Sequence, residues 1–187
     1  VFASSANYLS RAGWRKEETW GREVRLPKGF DYGLNGLDKK LKLKEWQSMG
    51  VRRADGRDLP VADFDASLVL PAGADGPAFL VYQNYRTILV WNRSILYALA
   101  VGHLADRLIG APPFVAKKPS NDKALSRADM KDIQRLLGEK GFDAGTPDGI
   151  AGSMTRRAIK AYQQSNGMAA DGHPDSRLLD HLRGGGR

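Results

Sequence analysis

Apolar positions along the 187 residues follow two different periods, and the change between them divides the chain. Toward the C-terminus the period is helical. Thr155, Ala158, Ile159 and Tyr162 stand at i, i+3, i+4 and i+7, one stripe of a helix that Gly152 and Ser153 open and Asn166-Gly167 closes. Met130, Ile133, Leu136 and Leu137 form a similar stripe between Ser126 and Lys140, with Ser126 and Asp129 at capping-box spacing and Gly141 as the stop. A third short helix starts near Asp175 with Leu178, Leu179 and Leu182. The pairs Asp148-Gly149 and Asp171-Gly172 mark tight turns between these helices, because Asp bonds its own backbone and Gly accepts a positive φ.

Earlier in the chain the pattern shortens. Phe2, Ala6 and Leu9 share one helical face that stops at Gly13. The stretch Glu23–Pro27 alternates like a short strand ended by proline. Leu34, Leu37, Leu41 and Leu43 suggest a short helix, and Ala66–Leu70, Phe79–Tyr82 and Ile88–Trp91 read as strands separated by Asp55-Gly56, Pro71-Ala72-Gly73 and Asp75-Gly76-Pro77. From Ser94 to Leu108 the chain is apolar nearly all round, the signature of a buried helix, with Gly110 as its end. The following residues are rich in Pro, Lys, Ser and Asn and read as a connection. The expected organisation is a first domain over 1–114, a linker over 115–123, a helical domain over 124–183 and a flexible tail over 184–187. Beyond the echo of the two Asp-Gly turns, no tandem repeat is visible.

Composition narrows the function. Hydrophobic residues make up 42% of the chain, which suits a packed protein, and no run approaches the ~20 apolar residues of a membrane span. There is no cysteine, so disulfides, thiolate catalysis and thiolate metal sites are excluded within the chain. The net charge is +8, spread evenly: 16 basic against 12 acidic residues up to position 114, and 13 against 9 after it. A diffuse positive field suits an anionic partner. Without a Lys/Arg stripe or an aromatic RNA-binding box, nucleic acid is not expected as a partner, and a nucleic-acid reading rests on the isoelectric point alone. His103 falls on the apolar helix and reads as a core histidine. His173 and His181 lack a third ligand and zinc-site spacing, so neither a metal nor another cofactor is expected.

The three short helices with Asp-Gly turns, from 124 to 183, resemble the peptidoglycan-binding domain found at the ends of many cell-wall enzymes. The first 114 residues resemble the C-terminal part of the catalytic domain of lytic murein transglycosylases of the membrane-bound B family. The residues that carry this second resemblance are Ser4–Leu9 with Gly13-Trp14, Glu45-Trp46, Gly50-Val51, Leu68–Pro71, Tyr82–Tyr85, and Trp91–Ser94 leading into Tyr97–Val101. The fold class it implies is α+β: part of a lysozyme-like domain with a small antiparallel β subdomain, followed by an all-α three-helix domain.

That resemblance also implies an activity. Family enzymes cleave the β-1,4 link between N-acetylmuramic acid and N-acetylglucosamine without water, as carbon-oxygen lyases. A single Glu protonates the leaving oxygen and then serves as base while the sugar's own C6 hydroxyl closes a 1,6-anhydro ring. Such an acid requires an apolar pocket that raises its pKa. The five Glu here are Glu17, Glu18, Glu23, Glu45 and Glu139, and none has that setting in the sequence: cations flank Glu17, Glu18 and Glu23, Glu45 follows Lys44, and Glu139 lies on a polar face. No residue of the chain is therefore expected to be catalytic. The family's acid and its substrate loop lie upstream of the matched segment, so another polypeptide carrying the N-terminal part of the domain is an expected partner, beside peptidoglycan glycan strands. By the same resemblance Tyr8, Trp91, Asn92 and Tyr97 match positions lining the saccharide groove, with Trp91 where the family often has Tyr. Asn92 has a second reading as a helix cap, Tyr8 and Tyr97 as core residues, and Trp14, Trp20 and Trp46 read as core or interface anchors. The location implied is the periplasm, with outer-membrane association through the absent part. The rival reading is a non-catalytic peptidoglycan-binding or scaffold protein.

Overall fold

The computed structural model describes residues 2–117 and 123–184, which fold into two compact units. The first holds the chain up to residue 117 except for two short segments, 31–35 and 72–76. Those segments belong to the second unit, with the C-terminal helices.

In the first unit a helix α1 (Phe2–Arg11) is followed by β1 (Gly21–Arg25), β2 (Leu41–Lys42), α2 (Leu43–Ser48), β3 (Arg52–Arg53), β4 (Asp65–Val69), β5 (Ala78–Val81), α3 (Gln83–Trp91) and α4 (Ile95–Leu108). The five strands form one antiparallel sheet in the order β2-β4-β5-β1-β3. Its centre is buried on both faces. Side chains alternate across a strand, so Val69, Phe79 and Val81 point to one face, where Trp20, Tyr85, Ile88, Ala98 and Leu99 complete a core. Leu68 and Leu80 point to the other face and are equally buried, and Trp46 donates its indole N–H to Ala66 O at 3.2 Å.

Three expectations are corrected here. Ile88–Trp91 is not a strand but the second half of α3. The β-branched and aromatic run favours a strand by propensity, yet Tyr85 and Ile88, three apart, both face the core, and packing overrides propensity. The Leu34–Leu43 segment is not one helix: it contains a 3-10 turn (Tyr32–Leu34), then β2, and only then α2. The helix α4 is not buried all round. Ala98, Leu99 and Gly102 face the core, while Leu96, Ala100, Leu104 and Leu108 form an exposed i, i+4, i+8, i+12 row, with Leu104 60% and Leu108 79% exposed. The sequence shows that both faces are apolar and cannot show which is covered.

Three further sets of contacts organise the first unit. Glu18, buried, accepts the Gln83 main-chain N–H at 2.7 Å and the Arg15 guanidinium at 3.1 Å, so a carboxylate stands at the N-terminus of α3. Glu23 accepts the main-chain N–H groups of Val115 and Ala116 at 2.7 and 2.6 Å. Phe114 stacks on His103 with ring centroids 3.7 Å apart and meets Phe79 edge-on at 4.8 Å. The middle of the expected linker, 118–122, and the tail beyond Gly184 lie outside the described residues.

The second unit contains α5 (Arg127–Glu139), α6 (Ser153–Ser165) and α7 (Ser176–Leu182) around Ile133, Leu137, Ile159, Tyr162, Leu178 and Leu182. Ser126 and Asp129 form the anticipated capping box, and Asp175 caps α7. Among the described residues no single helix is long and apolar enough to cross a membrane.

Candidate functional site

The four residues expected at a saccharide groove all lie in the first unit, on α1 and at the junction of α3 and α4. Tyr8 and Trp91 come together: their rings meet edge to face with centroids 5.1 Å apart. Trp91 is 63% exposed and Tyr8 38%, so the pair presents aromatic surface to solvent. Such a surface suits the apolar face of a sugar ring. Tyr97 is exposed to the same degree as Tyr8, and no ring contact joins it to the other two.

Asn92 terminates α3, and its Oδ1 accepts the Ser94 main-chain N–H at 2.9 Å. Ser94, not Asn92, caps α4, its hydroxyl accepting the Tyr97 N–H at 3.2 Å. The exposed Asn92 amide therefore keeps its N–H donors directed to solvent, where they suit an acetamido carbonyl. Tyr85 supports this junction from below by donating its hydroxyl to Ile95 O at 3.0 Å, and burial raises its phenol above the ordinary range.

The five Glu occupy other positions. Glu18 and Glu23 hold main-chain N–H groups as described. Glu45 accepts the Lys42 N–H at 2.7 Å in a capping box, Glu139 pairs with Arg135 at 2.6 Å, and Glu17 is exposed. Trp20 and Trp46 are core residues, whereas Trp14 is partly exposed. Among the described residues no group of three His, Cys, Asp or Glu is placed to hold a metal ion.

In the second unit both Asp-Gly turns are built on a buried glutamine. Gln134 donates Nε2 to Asp148 Oδ1 at 3.0 Å and accepts the Gly149 N–H at 2.9 Å. Gln163 donates to Asp171 Oδ1 and accepts the Gly172 N–H, both at 2.8 Å. Gly149 and Gly172 have φ of 81° and 69°, and a Cβ there would lie 2.8 and 2.9 Å from the carbonyls of Arg127 and Arg156. The Asp and Gly residues thus build the fold. Sequence reasoning missed the two glutamines; the available signal was a polar residue on the apolar side of each helix, Gln134 beside Ile133 and Gln163 beside Tyr162.

Comparison with known proteins matches each of the two units to a family. Residues 1–106 match the transglycosylase SLT domain, and residues 126–182 match a peptidoglycan binding domain. The chain belongs to the family that carries the transglycosylase SLT domain. It is similar to SltB3 from Pseudomonas aeruginosa, solved in complex with NAG-anhNAM-pentapeptide and with NAG-NAM-pentapeptide. To each structure the TM-score is 0.92 and the identity 51%, over 97% of this chain and 49% of that one. The chain therefore spans about half the length of SltB3. A 59-residue stretch is 34% identical to the localization factor PodJL of Caulobacter vibrioides, covering 32% of this chain and 6% of that protein. The first unit is lysozyme-like and the second is a peptidoglycan-binding helical domain.

Proposed function

We propose that the chain takes part in lytic cleavage of peptidoglycan: the junction of α1, α3 and α4 forms one wall of a glycan cleft, and the helical domain holds the cell wall. The single observation that carries this reading is the exposed Tyr8–Trp91 pair beside the Asn92 amide, in a chain of the transglycosylase family. The reaction is scission of the MurNAc-β-1,4-GlcNAc bond with closure of 1,6-anhydro-MurNAc. Its location is the periplasm, with outer-membrane association through polypeptide beyond this chain.

The general acid comes from elsewhere. Each Glu that is buried or half-buried here is committed to main-chain N–H groups or to arginine, and none lies in an apolar pocket. The exposed row Leu96, Ala100, Leu104 and Leu108 supports the same view, because monomeric proteins rarely leave a long apolar face open. We infer that the N-terminal part of the catalytic domain, the other half of a SltB3-length polypeptide, covers this row and brings the acid with it. In this organisation 1–114 is the C-terminal portion of the catalytic domain, 115–123 a linker and 124–183 the wall-binding domain.

Co-sedimentation with purified sacculi tests the reading. Retention of the chain on sacculi, weakened by Trp91→Ala and persisting in moderate salt, supports it. Retention indifferent to Trp91 and Asn92 substitutions would remove the cleft from the account and favour the non-catalytic binding role.

A further inference from the structure

The second unit contains an internal repeat that extends well beyond the two Asp-Gly pairs. Arg127, Met130, Lys131, Ile133 and Gln134 on α5 recur with the same spacing as Arg156, Ile159, Lys160, Tyr162 and Gln163 on α6. In each copy the glutamine holds the Asp-Gly turn, the main-chain N–H two residues after the Asp donates to Asp Oδ1 at 2.8 Å, and the next helix starts five residues after the Asp. One architecture is used twice, with α6 shared between the copies.

The second copy is occupied by two turns of the chain, the 3-10 turn Tyr32–Leu34 with Asn35 after it and the turn over 72–76. Lys160 Nζ donates to the carbonyls of Gly33 and Asn35 at 2.8 and 2.7 Å. Asp171 Oδ2 accepts the Ala74 main-chain N–H at 2.7 Å, and Asp171 O accepts the Asn35 side-chain amide at 2.6 Å. Gly73 lies so close to His173, the residue two after the Asp, that a Cβ on it would stand 3.1 Å from the His173 side chain. One lysine, one carboxylate oxygen and one side chain of the turn thus hold two peptide segments by their main chains.

The first copy presents the corresponding groups to solvent. Lys131, the counterpart of Lys160, is exposed and makes no hydrogen bond or ion pair among the described residues. Asp148 Oδ2, the counterpart of Asp171 Oδ2, accepts nothing among them, since Gln134 and Ile150 both use Oδ1. Ile150, the counterpart of His173, is 61% exposed, and Met154 beside it is exposed too. The counterpart carbonyl differs: Asp148 O already accepts Arg127 Nε at 3.0 Å.

We propose that Lys131, Asp148 and Ile150 form a second copy of this site for main-chain groups, and that its occupant is a peptidoglycan stem peptide. The lysine meets a carbonyl or carboxylate of the peptide, Asp148 Oδ2 takes a peptide N–H, and Ile150 with Met154 covers a methyl-bearing side chain. This rests on the reading of the helical domain as a wall binder and names the part of the wall that it grips.

The test uses the full chain, labelled with nitrogen-15, and two probes: NAG-NAM-pentapeptide and the same disaccharide without peptide. The expected result is amide shift changes over 148–154 with the pentapeptide probe alone. Lys131→Met combined with Ile150→Asp weakens pentapeptide binding at least tenfold without changing the melting temperature, and Asp148→Asn, which keeps Oδ1 but turns the outward oxygen into a donor, weakens it as well. Equal binding of both probes with no shifts over 148–154 would overturn the proposal and leave the glycan reading standing. Binding of neither probe would overturn the wall reading itself.

Discussion

The Trp91 ring at the end of α3 meets the Tyr8 ring of α1 edge to face, with centroids 5.1 Å apart and planes at 84°. This contact ties the first helix to the α3–α4 junction while leaving most of the indole in solvent. Trp91→Ala is therefore expected to cost little stability, within about 1 kcal/mol, because the removed surface is mostly exposed. Its effect on glycan binding is larger, a loss of about tenfold (~1.4 kcal/mol) if the ring stacks on a sugar. Titration with NAG-NAM oligosaccharide followed by calorimetry checks both the size and the contrast with stability.

The turn before the sheet is locked by two polar residues that composition alone gives no reason to bury. Asn84 accepts the Arg15 N–H and donates to Arg15 O, both at 2.8 Å, and donates to Glu18 O, while Glu18 holds the first N–H of α3. Replacing Glu18 by Ala leaves that N–H and the Asn84 region without their charged partner. Loss of a charge-assisted hydrogen bond at a buried site costs about 2 to 3 kcal/mol. Glu18→Gln keeps an acceptor oxygen and is expected to cost less. Urea denaturation of the two variants gives the comparison; equal, negligible losses would mean that Glu18 is not the anchor of α3.

Gly102 lies on the buried side of α4, against Trp20. Helix propensity favours alanine there by about 1 kcal/mol. Packing opposes it more strongly, since a Cβ would stand 2.5 Å from the Trp20 ring, whose indole N–H donates to Asp106 at 2.8 Å. Overpacking of this kind costs about 1 to 3 kcal/mol, so Gly102→Ala is expected to be net destabilising and to alter the near-ultraviolet circular dichroism of Trp20. A stabilised variant with an unchanged spectrum would show that the indole moves aside freely.

Acid weakens the helical domain through two aspartates. Hydrogen bonds from the Ser126 hydroxyl and N–H hold the Asp129 carboxyl below its ordinary value, and those from Gln134 and the Ile150 N–H do the same for Asp148. A depressed folded-state pKa means that the stabilisation is present above the unfolded value near 4 and is lost as pH falls through the lower folded value. The domain is expected to lose stability progressively below pH 4, and Asp129→Asn to flatten that dependence. Thermal melts of the full chain at pH 7, 4 and 2.5 with both forms measure it.

The helical domain was largely legible in the sequence because its signals are local: the stripes, the Ser126–Asp129 capping box and the Asp-Gly turns all act within a few residues. Gln134 and Gln163 escaped because their partners lie 14 and 8 residues away across turns. In the first unit the strands over 66–70 and 79–82 were visible as short apolar runs between turn signals, whereas Ile88–Trp91 was misread because its residues prefer strands and only packing makes it helical. The exposed side of α4 had no sequence signal at all, since Leu96 and Leu104 look like Leu99 until neighbours are placed. The four expected groove residues came from the family resemblance, whereas the meeting of Tyr8 with Trp91 spans 83 positions and needed the fold.

The measurement that tests the central claim most directly is mass spectrometry of soluble products after incubating the purified chain with intact sacculi. The account predicts that the chain binds sacculi but releases no 1,6-anhydro muropeptides, because its glutamates are committed to main-chain and arginine partners or lie exposed. Release of anhydro products by the chain alone would contradict it and would require a general acid within these 187 residues.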